Sequence, residues 1–266
     1  MADQFSATAL VTGGGRGIGQ GIALGLAKAG MRVAVTARSA DQLAETVDLA
    51  GGNAIAHAAD MADPAAVRAM VREIEQRLGT IDLLVNNAGT GGPFGPLWEN
   101  DPDTWWRCLE VNLRGPFLCC REVLPGMIRR GGGRIVNVAS GAGTYAIPDM
   151  SAYVASKTAL IRLSEQLALE AGPFGVKVFA IRPGVVRTAM VEEGRKAIPL
   201  IQKILDEGQE VTPQVVAELV LFLASGKADG LNGRLFSVKE DLEEIVRRAE
   251  DVEKGDLYLL RSRRLK

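Results

Sequence analysis

Histidine and cysteine are scarce in this sequence of 266 residues. His57 is the only histidine, which excludes most Ser-His-Asp chemistry, and Ser140 lacks the first glycine of a hydrolase nucleophile elbow. The cysteines are an odd set in an apolar helical region, two of them adjacent: Cys108, Cys119 and Cys120. We interpret them as small core residues in a reducing compartment rather than as a disulfide or a metal site. No metal is expected.

The sequence also lacks a charge bias, a long apolar run and a recognisable leader. Its 31 basic and 32 acidic residues give a formal net charge of −1, which argues against nucleic acid or an anionic membrane as the main partner. No apolar stretch reaches the roughly 18 residues that span a bilayer. Because the chain does not open on a basic segment followed by an apolar one, we expect no signal peptide and a cytoplasmic location.

Glycine, in contrast, is abundant, with 31 residues. The segment Thr12-Gly-Gly-Gly-Arg-Gly-Ile-Gly19 follows an apolar run at 7–11 and opens a helical pattern. A strand, a glycine turn and a helix N-terminus form the setting in which backbone amides bind a dinucleotide pyrophosphate. The alternative is a glycine-rich turn without a ligand. A P-loop NTPase is excluded, because Gln20 and Gly21 stand where that motif has Lys and Ser/Thr.

Apolar runs and helical patterns alternate along the whole chain. Several runs are continuously hydrophobic, as strands are when helices cover both faces of a sheet. The pattern predicts an α/β fold, a doubly wound parallel sheet (Rossmann fold) of about seven strands with helices on both faces. We expect a single domain, 1–266, with a C-terminal helix and tail at about 239–266. The predicted strands are 7–11, 32–36, 53–56, 81–85, 134–138, 176–181 and 235–238, and the predicted helices about 18–29, 40–50, 63–78, 102–130, 151–171 and 213–225.

Tyr153 and Lys157 are four residues apart, on one face of a predicted helix. A tyrosine with a pKa of about 10 is a poor acid–base catalyst near neutrality. An adjacent ammonium favours the phenolate, so we expect Lys157 to lower the pKa of Tyr153 towards the working range. Such a pair also occurs by chance in many helices, and its meaning depends on the surrounding motifs.

The order of the motifs resembles the short-chain dehydrogenase/reductase family, in the branch built as a single Rossmann domain. The resemblance covers about residues 6–238 and implies an oxidoreductase that uses a nicotinamide cofactor. It is carried by the glycine segment ending at Gly19, Asp60, Asn86-Asn87-Ala88-Gly89, Asn112, Ser140, Tyr153, Lys157, Pro183-Gly184 and Thr188.

The resemblance implies four catalytic residues. Tyr153 would be the general acid in carbonyl reduction and the base in the reverse direction, and Lys157 would also bind the nicotinamide ribose. Ser140 would hold the substrate oxygen, and Asn112 would position a water in a proton relay. As alternatives, Ser140 could end a strand and start a turn, and Asn112 could satisfy backbone groups within a helix.

Other positions would contact the cofactor or shape its site. The segment ending at Gly89 would stabilise the central sheet and leave room for the adenosine side. Asp60 would bond the adenine amino group beside a backbone group of Met61, or would instead be a turn or N-cap aspartate. The turn from Pro183 to Thr188 would shield the nicotinamide face.

The expected cofactor preference follows from the absence of an acidic residue at the end of the second predicted strand. NAD-specific sites place Asp or Glu about 20 residues after the glycines, but no acidic residue occurs between Asp3 and Asp41. The position holds Ala37, and Arg16 and Arg38 suit a 2′-phosphate, so NADP(H) is favoured over NAD(H). Alternatively, Arg38 is solvated and Arg16 only packs over adenine. The full predicted cofactor set is Gly13, Gly15, Arg16, Gly17, Ile18, Gly19, Arg38, Asp60, Met61, Asn87, Ala88, Gly89, Tyr153, Lys157, Pro183, Gly184, Val186 and Thr188.

Three segments, 91–98, 142–150 and 189–205, are expected to frame the substrate. Their side chains suit an apolar or aromatic ketone or secondary alcohol, although any one of them could instead pack a mobile loop on the domain. We expect Ser140, Tyr153, Tyr145 and Met190 to bind the substrate. The expected lining is Phe94, Leu97, Trp98, Tyr145, Ile147, Met150, Met190, Ile198, Leu200, Ile201 and Leu205.

The C-terminus departs from the family pattern of a short ending after the last strand. Apolar residues recur at helical spacing over 240–253, which predicts one amphipathic helix, followed by an apolar strip at 258–260 and a basic end. We expect this tail to dock at a subunit interface or beside segment 189–205. The alternatives are the domain's own surface and a frayed tail. A homodimer or homotetramer is expected, with pairing through the helices near 102–130 and 151–171.

The sequence is compatible with three functions. The favoured one is an NADP(H)-dependent reductase of ketones or aldehydes. The same chemistry on a carrier-protein-bound 3-oxoacyl substrate is a second possibility, and a non-enzymatic dinucleotide-sensing protein on the same fold is a third.

Overall fold

A parallel sheet of seven strands, in the order β3-β2-β1-β4-β5-β6-β7, forms the centre of the protein. The structure is a computed structural model that describes residues 7–262. All seven predicted strands are confirmed, with ends no more than two residues from the prediction. They are β1 (Thr8–Thr12), β2 (Arg32–Ala37), β3 (Ala54–Ala58), β4 (Ile81–Asn86), β5 (Gly133–Val138), β6 (Val176–Arg182) and β7 (Leu235–Ser237).

Helices cover both faces of the sheet, as the continuous hydrophobic strands predict. One face packs with buried side chains such as Leu26 and Val220, and the other with Met70 and Val123. The helices are α1 (Gly17–Lys28), α2 (Ala40–Leu49), α3 (Pro64–Leu78), α4 (Pro102–Leu109), α5 (Gly115–Arg129), α6 (Ser151–Ala171), α7 (Ala189–Gly194), α8 (Pro199–Asp206), α9 (Pro213–Ala224), α10 (Leu242–Arg247) and α11 (Ala249–Lys254).

Two helical predictions need correction. The single helix expected at 102–130 is interrupted by a π-helical turn, Glu110–Arg114, between α4 and α5. Segment 189–205, for which no helix is predicted, contains the two short helices α7 and α8. Helices of six and eight residues give too few turns for a clear hydrophobic period.

The strand order reverses between β1 and β4, because the chain crosses from β3 at one edge back to the centre. In an open parallel sheet, such a switch point opens a crevice outside the carboxyl ends of the strands, where ligands bind. The glycine turn after β1 and the segment after β4 therefore flank this crevice.

The C-terminal tail folds back onto its own domain, which corrects the expected docking at a subunit interface or beside segment 189–205. The predicted helix 240–253 is split into α10 and α11 at Arg248, whose φ of −103° and ψ of 27° are not helical. Ile245 and Val252 are buried in the main hydrophobic core, and the Tyr258 ring packs against Phe236, with centroids 5.9 Å apart. The predicted basic end lies largely outside the described residues.

The same tail covers the outer edge of β7. The Leu235 amide donates to the Tyr258 carbonyl at 2.9 Å. Two residues on, the Ser237 amide donates to the Glu240 carboxylate at 2.6 Å. The amides of Leu235 and Ser237 point away from β6, and each has an acceptor within the protein.

Candidate active site

The predicted site residues converge on the carboxyl ends of the strands. The glycine turn follows β1, Arg38 follows β2, Asp60 and Met61 follow β3, and Asn87–Gly89 follow β4. Ser140 follows β5, and the segment from Pro183 to Thr188 follows β6. Tyr153 and Lys157 lie on α6, and Asn112 lies on the π-helical turn.

The glycine turn is fastened to the segment after β4. The Thr12 hydroxyl accepts from the amides of Asn87 and Ala88, both at 3.0 Å, and the Asn87 side-chain amide donates to the Thr12 carbonyl at 3.0 Å. A Cβ on Gly19 would collide with the Gly13 carbonyl and the Asn87 amide, so only glycine fits there. The segment after β4 therefore helps to set the shape of the turn.

The N-terminus of α1 has amides available for an anion. Its N-cap residue, Arg16, makes no side-chain capping bond, and its first turn contains no acidic residue. By contrast, Ser39 caps α2 and Asp63 caps α3. The first amides of a helix have no intrahelical partner, and together with the helix dipole they favour a bound phosphate. This turn thus fits the pyrophosphate of a dinucleotide.

The end of β2 lies against the same turn. The Gly14 amide donates to the Thr36 carbonyl at 3.1 Å, and a Cβ on Gly15 would lie 3.6 Å from that of Ala37. Arg16 and Arg38 are both exposed and form no ion pair within residues 7–262. Two unpaired guanidinium groups therefore border the position where NAD-specific sites carry an acid.

Asp60, expected to bind adenine, is held by protein groups. Its carboxylate accepts from the Ala62 amide at 2.9 Å and pairs with Arg107. Partial burial opposes ionisation, but these bonds outweigh it, and Arg38 adds to them, so the pKa of Asp60 is lowered. The carboxylate is thus ionised at neutral pH, and its side chain is partly exposed.

Tyr153 and Ser140 line the same cavity. Burial raises the pKa of Tyr153; the neighbouring Ser140 hydroxyl opposes this rise, and Cys108 adds to it. The expected lowering by Lys157 is therefore not found in the protein without ligands. Desolvation dominates because the Lys157 ammonium is 5.8 Å from the centre of the phenol ring.

Lys157 is buried beneath Tyr153, and its ammonium donates to the Val138 carbonyl at 2.8 Å. Burial lowers the pKa of this lysine from 10.5 to about 8, against the opposing influence of Cys108. A Cβ on Gly89 would lie 3.6 Å from the same ammonium, which places Lys157 beside the segment after β4. The lysine thus lies between the tyrosine and the predicted cofactor site.

The pKa of Lys157 predicts a rise in relative stability with pH. Because the unfolded lysine binds its proton more tightly, the unfolded state holds more protons between pH 8 and 10.5, and stability increases through that window. Between pH 8 and 9.5 the wild type should gain about 2 kcal/mol in free energy of unfolding over Lys157→Met. Urea unfolding at several pH values measures this gain. Lys28→Met, at an exposed site, should run parallel to the wild type; the same for Lys157→Met would contradict the prediction.

Asn112 is fully buried, and its side-chain amide is hydrogen-bonded to other groups of the protein. Its amide nitrogen lies 2.9 Å from the Thr90 carbonyl and 3.0 Å from the Ser156 hydroxyl, and its oxygen accepts from the Thr90 amide at 2.8 Å. The π-helical turn aims it inward, as such turns often do at functional sites. These contacts match the alternative in which Asn112 satisfies backbone groups, and its part in a proton relay stays a prediction.

The segment after β6 lies against the glycine turn. Val186 is buried, and the Thr188 hydroxyl accepts from the Val191 amide at 3.3 Å and so caps α7. A Cβ on Gly17 would lie 3.0 Å from the Thr188 methyl group. The predicted nicotinamide turn is therefore next to the predicted pyrophosphate turn.

The cavity beside Tyr153 has a volume of about 310 Å³, in the range of small-molecule sites. Its lining is mainly apolar and includes eight of the eleven residues expected from the sequence. Those eight are Phe94, Tyr145, Ile147, Met150, Met190, Ile198, Leu200 and Ile201.

Three expected lining residues do not reach this cavity. Leu97 and Trp98 are 60% and 84% exposed on a short 3₁₀ turn, and Leu205 is buried elsewhere in the fold. Sequence reasoning missed the polar lining side chains because they come from separated segments, without a motif. These are Arg182, Gln209, Ser237 and Lys239.

The described residues contain neither a membrane-spanning helix nor a cluster of metal ligands. No helix in 7–262 is long and apolar enough to cross a membrane. Over the same part of the chain, no group of three or more His, Cys, Asp or Glu side chains could hold a metal ion. The three cysteines are buried free thiols.

Comparison with known proteins agrees with the geometry. The family described as short chain dehydrogenase matches residues 7–199. The chain is 32% identical to the short chain dehydrogenase pigC of Monascus ruber, over 96% of this chain and 86% of that protein. It is 37% identical to 2-(S)-hydroxypropyl-CoM dehydrogenase 3 of Xanthobacter autotrophicus, over 86% and 93%. An actinorhodin polyketide ketoreductase variant with NADPH superposes with a TM-score of 0.82 at 36% identity, covering 90% of this chain and 97% of that one.

Proposed function

Because the chain belongs to the short-chain dehydrogenase/reductase family and is an NAD(P)-dependent oxidoreductase, we propose that it transfers a hydride between NADP(H) and a ketone or aldehyde, or in reverse a secondary alcohol. The observation that carries the proposal is that the Tyr153 and Ser140 hydroxyls, which are close enough for Ser140 to affect the pKa of Tyr153, line the same mainly apolar cavity. A carbonyl oxygen placed between these hydroxyls would have one donor to protonate it and another to hold it.

The proposed roles follow from protonation state and position. The raised pKa of Tyr153 keeps the phenol protonated at neutral pH, which is the form that donates to the carbonyl oxygen during reduction. Lys157, with a pKa of about 8, is mostly charged at neutral pH and can stabilise the phenolate as the proton leaves. Ser140 would orient the same oxygen through its hydroxyl.

The nicotinamide cofactor would be held by the glycine turn, the segments after β3 and β4, and the segment from Pro183 to Thr188. The uncapped α1 N-terminus fits its pyrophosphate, and the missing Cβ at Gly89 leaves space beside Lys157. When bound, the cofactor supplies or accepts the hydride. We propose a preference for NADP(H), supported by the exposed Arg16 and Arg38 and the absence of an acid at Ala37.

The cavity supports an apolar or aromatic carbonyl compound as the substrate, contacted by Ser140, Tyr153, Tyr145 and Met190. A panel of aryl ketones, cyclic ketones and aldehydes, followed by the NADPH absorbance, tests the proposal. We expect turnover of at least one aryl ketone, and oxidation of its alcohol with NADP⁺. A 3-oxoacyl thioester in the panel tests the carrier-bound alternative. Tight NADPH binding without turnover of any carbonyl compound would contradict a reductase.

We also propose that the chain forms a homodimer or homotetramer in the cytoplasm. Large apolar side chains are exposed on the helices expected to pair, namely Trp106 on α4, Phe117 on α5 and Leu169 on α6. The three unpaired thiols suit a reducing compartment.

A further inference from the structure

The cavity has a polar region that its proposed use does not yet explain. It is formed where β6 and β7 end, by Arg182, Ser237 and Lys239, with Gln209 beside them. These groups line the same cavity as Ser140 and Tyr153. A substrate that places its carbonyl at Tyr153 can therefore extend another part towards them.

Arg182 has a donor without an acceptor. Its Nη2 donates to the Glu240 carboxylate at 2.8 Å, but its Nε is buried and makes no hydrogen bond within the protein. A buried donor without a partner is unfavourable, and native structures usually satisfy such groups. Because this atom is also closed to solvent, an oxygen of a bound molecule could reach it only if the guanidinium shifts towards the cavity.

The charge of this region favours an anionic acceptor. Arg182 and Lys239 are cations, and the carboxylate of Glu240 pairs with Arg182. The Lys239 ammonium is exposed and forms no ion pair within residues 7–262. One unit of positive charge is therefore left uncompensated at the edge of an otherwise apolar cavity.

Glu240 fixes the position of Arg182. One of its oxygens accepts from Arg182, and the other accepts from the Ser237 amide at 2.6 Å. The guanidinium is thereby tied to the end of β7, and its unpartnered Nε keeps a defined place. Glu240 is a positioning residue in this arrangement.

We propose that Arg182 and Lys239 bind a carboxylate of the substrate, which is then a keto acid, or a hydroxy acid in reverse, with an apolar or aromatic body. The proposal rests on the proposed function, because it concerns the far part of the same substrate. Arginine and lysine both form charge-assisted hydrogen bonds with carboxylates, and both of these side chains line the cavity.

The test compares aryl keto acids, with one to four methylene groups between ketone and carboxylate, against their methyl esters. For the acid of matching length we expect about tenfold higher kcat/KM than for its ester, mainly through KM, the scale of a hydrogen bond to a charged group. In Lys239→Gln this acid-to-ester ratio should fall at least about threefold. Lys254→Gln removes the same charge from α11, outside the cavity, and should keep the wild-type ratio.

Glu240→Gln provides a test of opposite sign. Glutamine offers one oxygen acceptor where the carboxylate has two, so Arg182 and the Ser237 amide compete for it, and the competing negative charge is removed. The acid-to-ester ratio should therefore rise about two- to fivefold. General structural damage would not raise the preference for the acid. A ratio that is unchanged or lower in Glu240→Gln, or unchanged in Lys239→Gln, would overturn the proposal.

Calorimetric titration separates this proposal from the proposed function. In the presence of NADP⁺, the acid should bind the wild type about tenfold more tightly than its ester, and Lys239→Gln should lose this difference. Equal affinities for acid and ester would contradict the carboxylate site even if ketones are reduced. Preferential binding of the acid without turnover of any carbonyl compound would support the site and contradict the reductase.

Discussion

Replacing Tyr153 by phenylalanine should lower kcat for carbonyl reduction by at least about two orders of magnitude, the scale of general acid–base assistance. The substitution removes one hydroxyl, the one that Ser140 contacts, and leaves the ring that lies over Lys157. Because the Ser140 hydroxyl at the same oxygen is a much weaker acid than a phenol, it cannot replace the lost proton donor, and the loss should appear in kcat. NADPH affinity, measured by fluorescence titration, should stay within about threefold, since binding of the pyrophosphate depends on the glycine turn.

Tyr258→Phe is the matched control. Tyr258 packs on Phe236 at the sheet edge, far along the chain from α6 and outside the cavity lining, and its hydroxyl has no part in the proposed reaction. Its variant should turn over at the wild-type rate. Near-normal kcat in Tyr153→Phe would remove Tyr153 from the role of general acid.

The wild type should have a higher kcat/KM with NADPH than with NADH, and Arg38→Leu should lower the value for NADPH by about ten- to a hundredfold. Arg38 follows β2 beside the glycine turn, and a charge-assisted bond to the 2′-phosphate exists only with NADPH. The value for NADH should change much less. Steady-state kinetics with each cofactor at a fixed ketone concentration gives both numbers.

Arg32→Leu controls for the loss of a surface arginine. Arg32 begins the same strand that Arg38 follows, so it lies at the opposite edge of the sheet and is exposed there. Its variant should keep the cofactor ratio of the wild type. An equal loss with both cofactors in Arg38→Leu, or an initial preference for NADH, would reject the proposed phosphate contact.

The sheet could be predicted from the sequence because its strands are buried on both faces. Runs such as Val33 to Val35 and Leu83 to Val85 are continuously apolar, and Gly30 and Gly79 stand just before the two strands. Because Thr12, Asn86 and Ser140 each fall just after a predicted strand, the sequence also predicts that they lie at one edge of the sheet. Local patterns were sufficient here, because adjacent residues determine both the strand and the turn that follows it.

The tail and the π-helical turn depend on contacts that the sequence does not display. The helical spacing of apolar residues continues through Arg248, yet the chain turns there so that both Ile245 and Val252 enter the core. At Glu110–Arg114 the helix widens so that Asn112 reaches Thr90, more than twenty residues earlier. Tertiary contacts override local propensity in both places.

In the candidate active site, too, some features follow from local sequence patterns and others depend on tertiary contacts. The helical spacing of Tyr153 and Lys157 located the pair, but the pKa of Tyr153 depends on how deeply it is buried, and burial raises it. Arg182 and Lys239 are more than fifty residues apart in the chain and meet only because β6 and β7 are neighbours. Neither residue belongs to a motif that sequence reasoning could use.

The way in which the tail ends the sheet limits how copies of this protein can associate. An edge strand with free amides is a template to which a strand of another chain can add, and natural proteins block such edges. In β7 the outward amides of Leu235 and Ser237 already bond Tyr258 and Glu240 of the same chain. While the tail is docked, a second molecule cannot continue the sheet by strand addition at this edge. Glu240 therefore has two roles. Its carboxylate accepts from the outward-facing Ser237 amide, which blocks strand addition at this edge, and it also binds Arg182 beside the cavity.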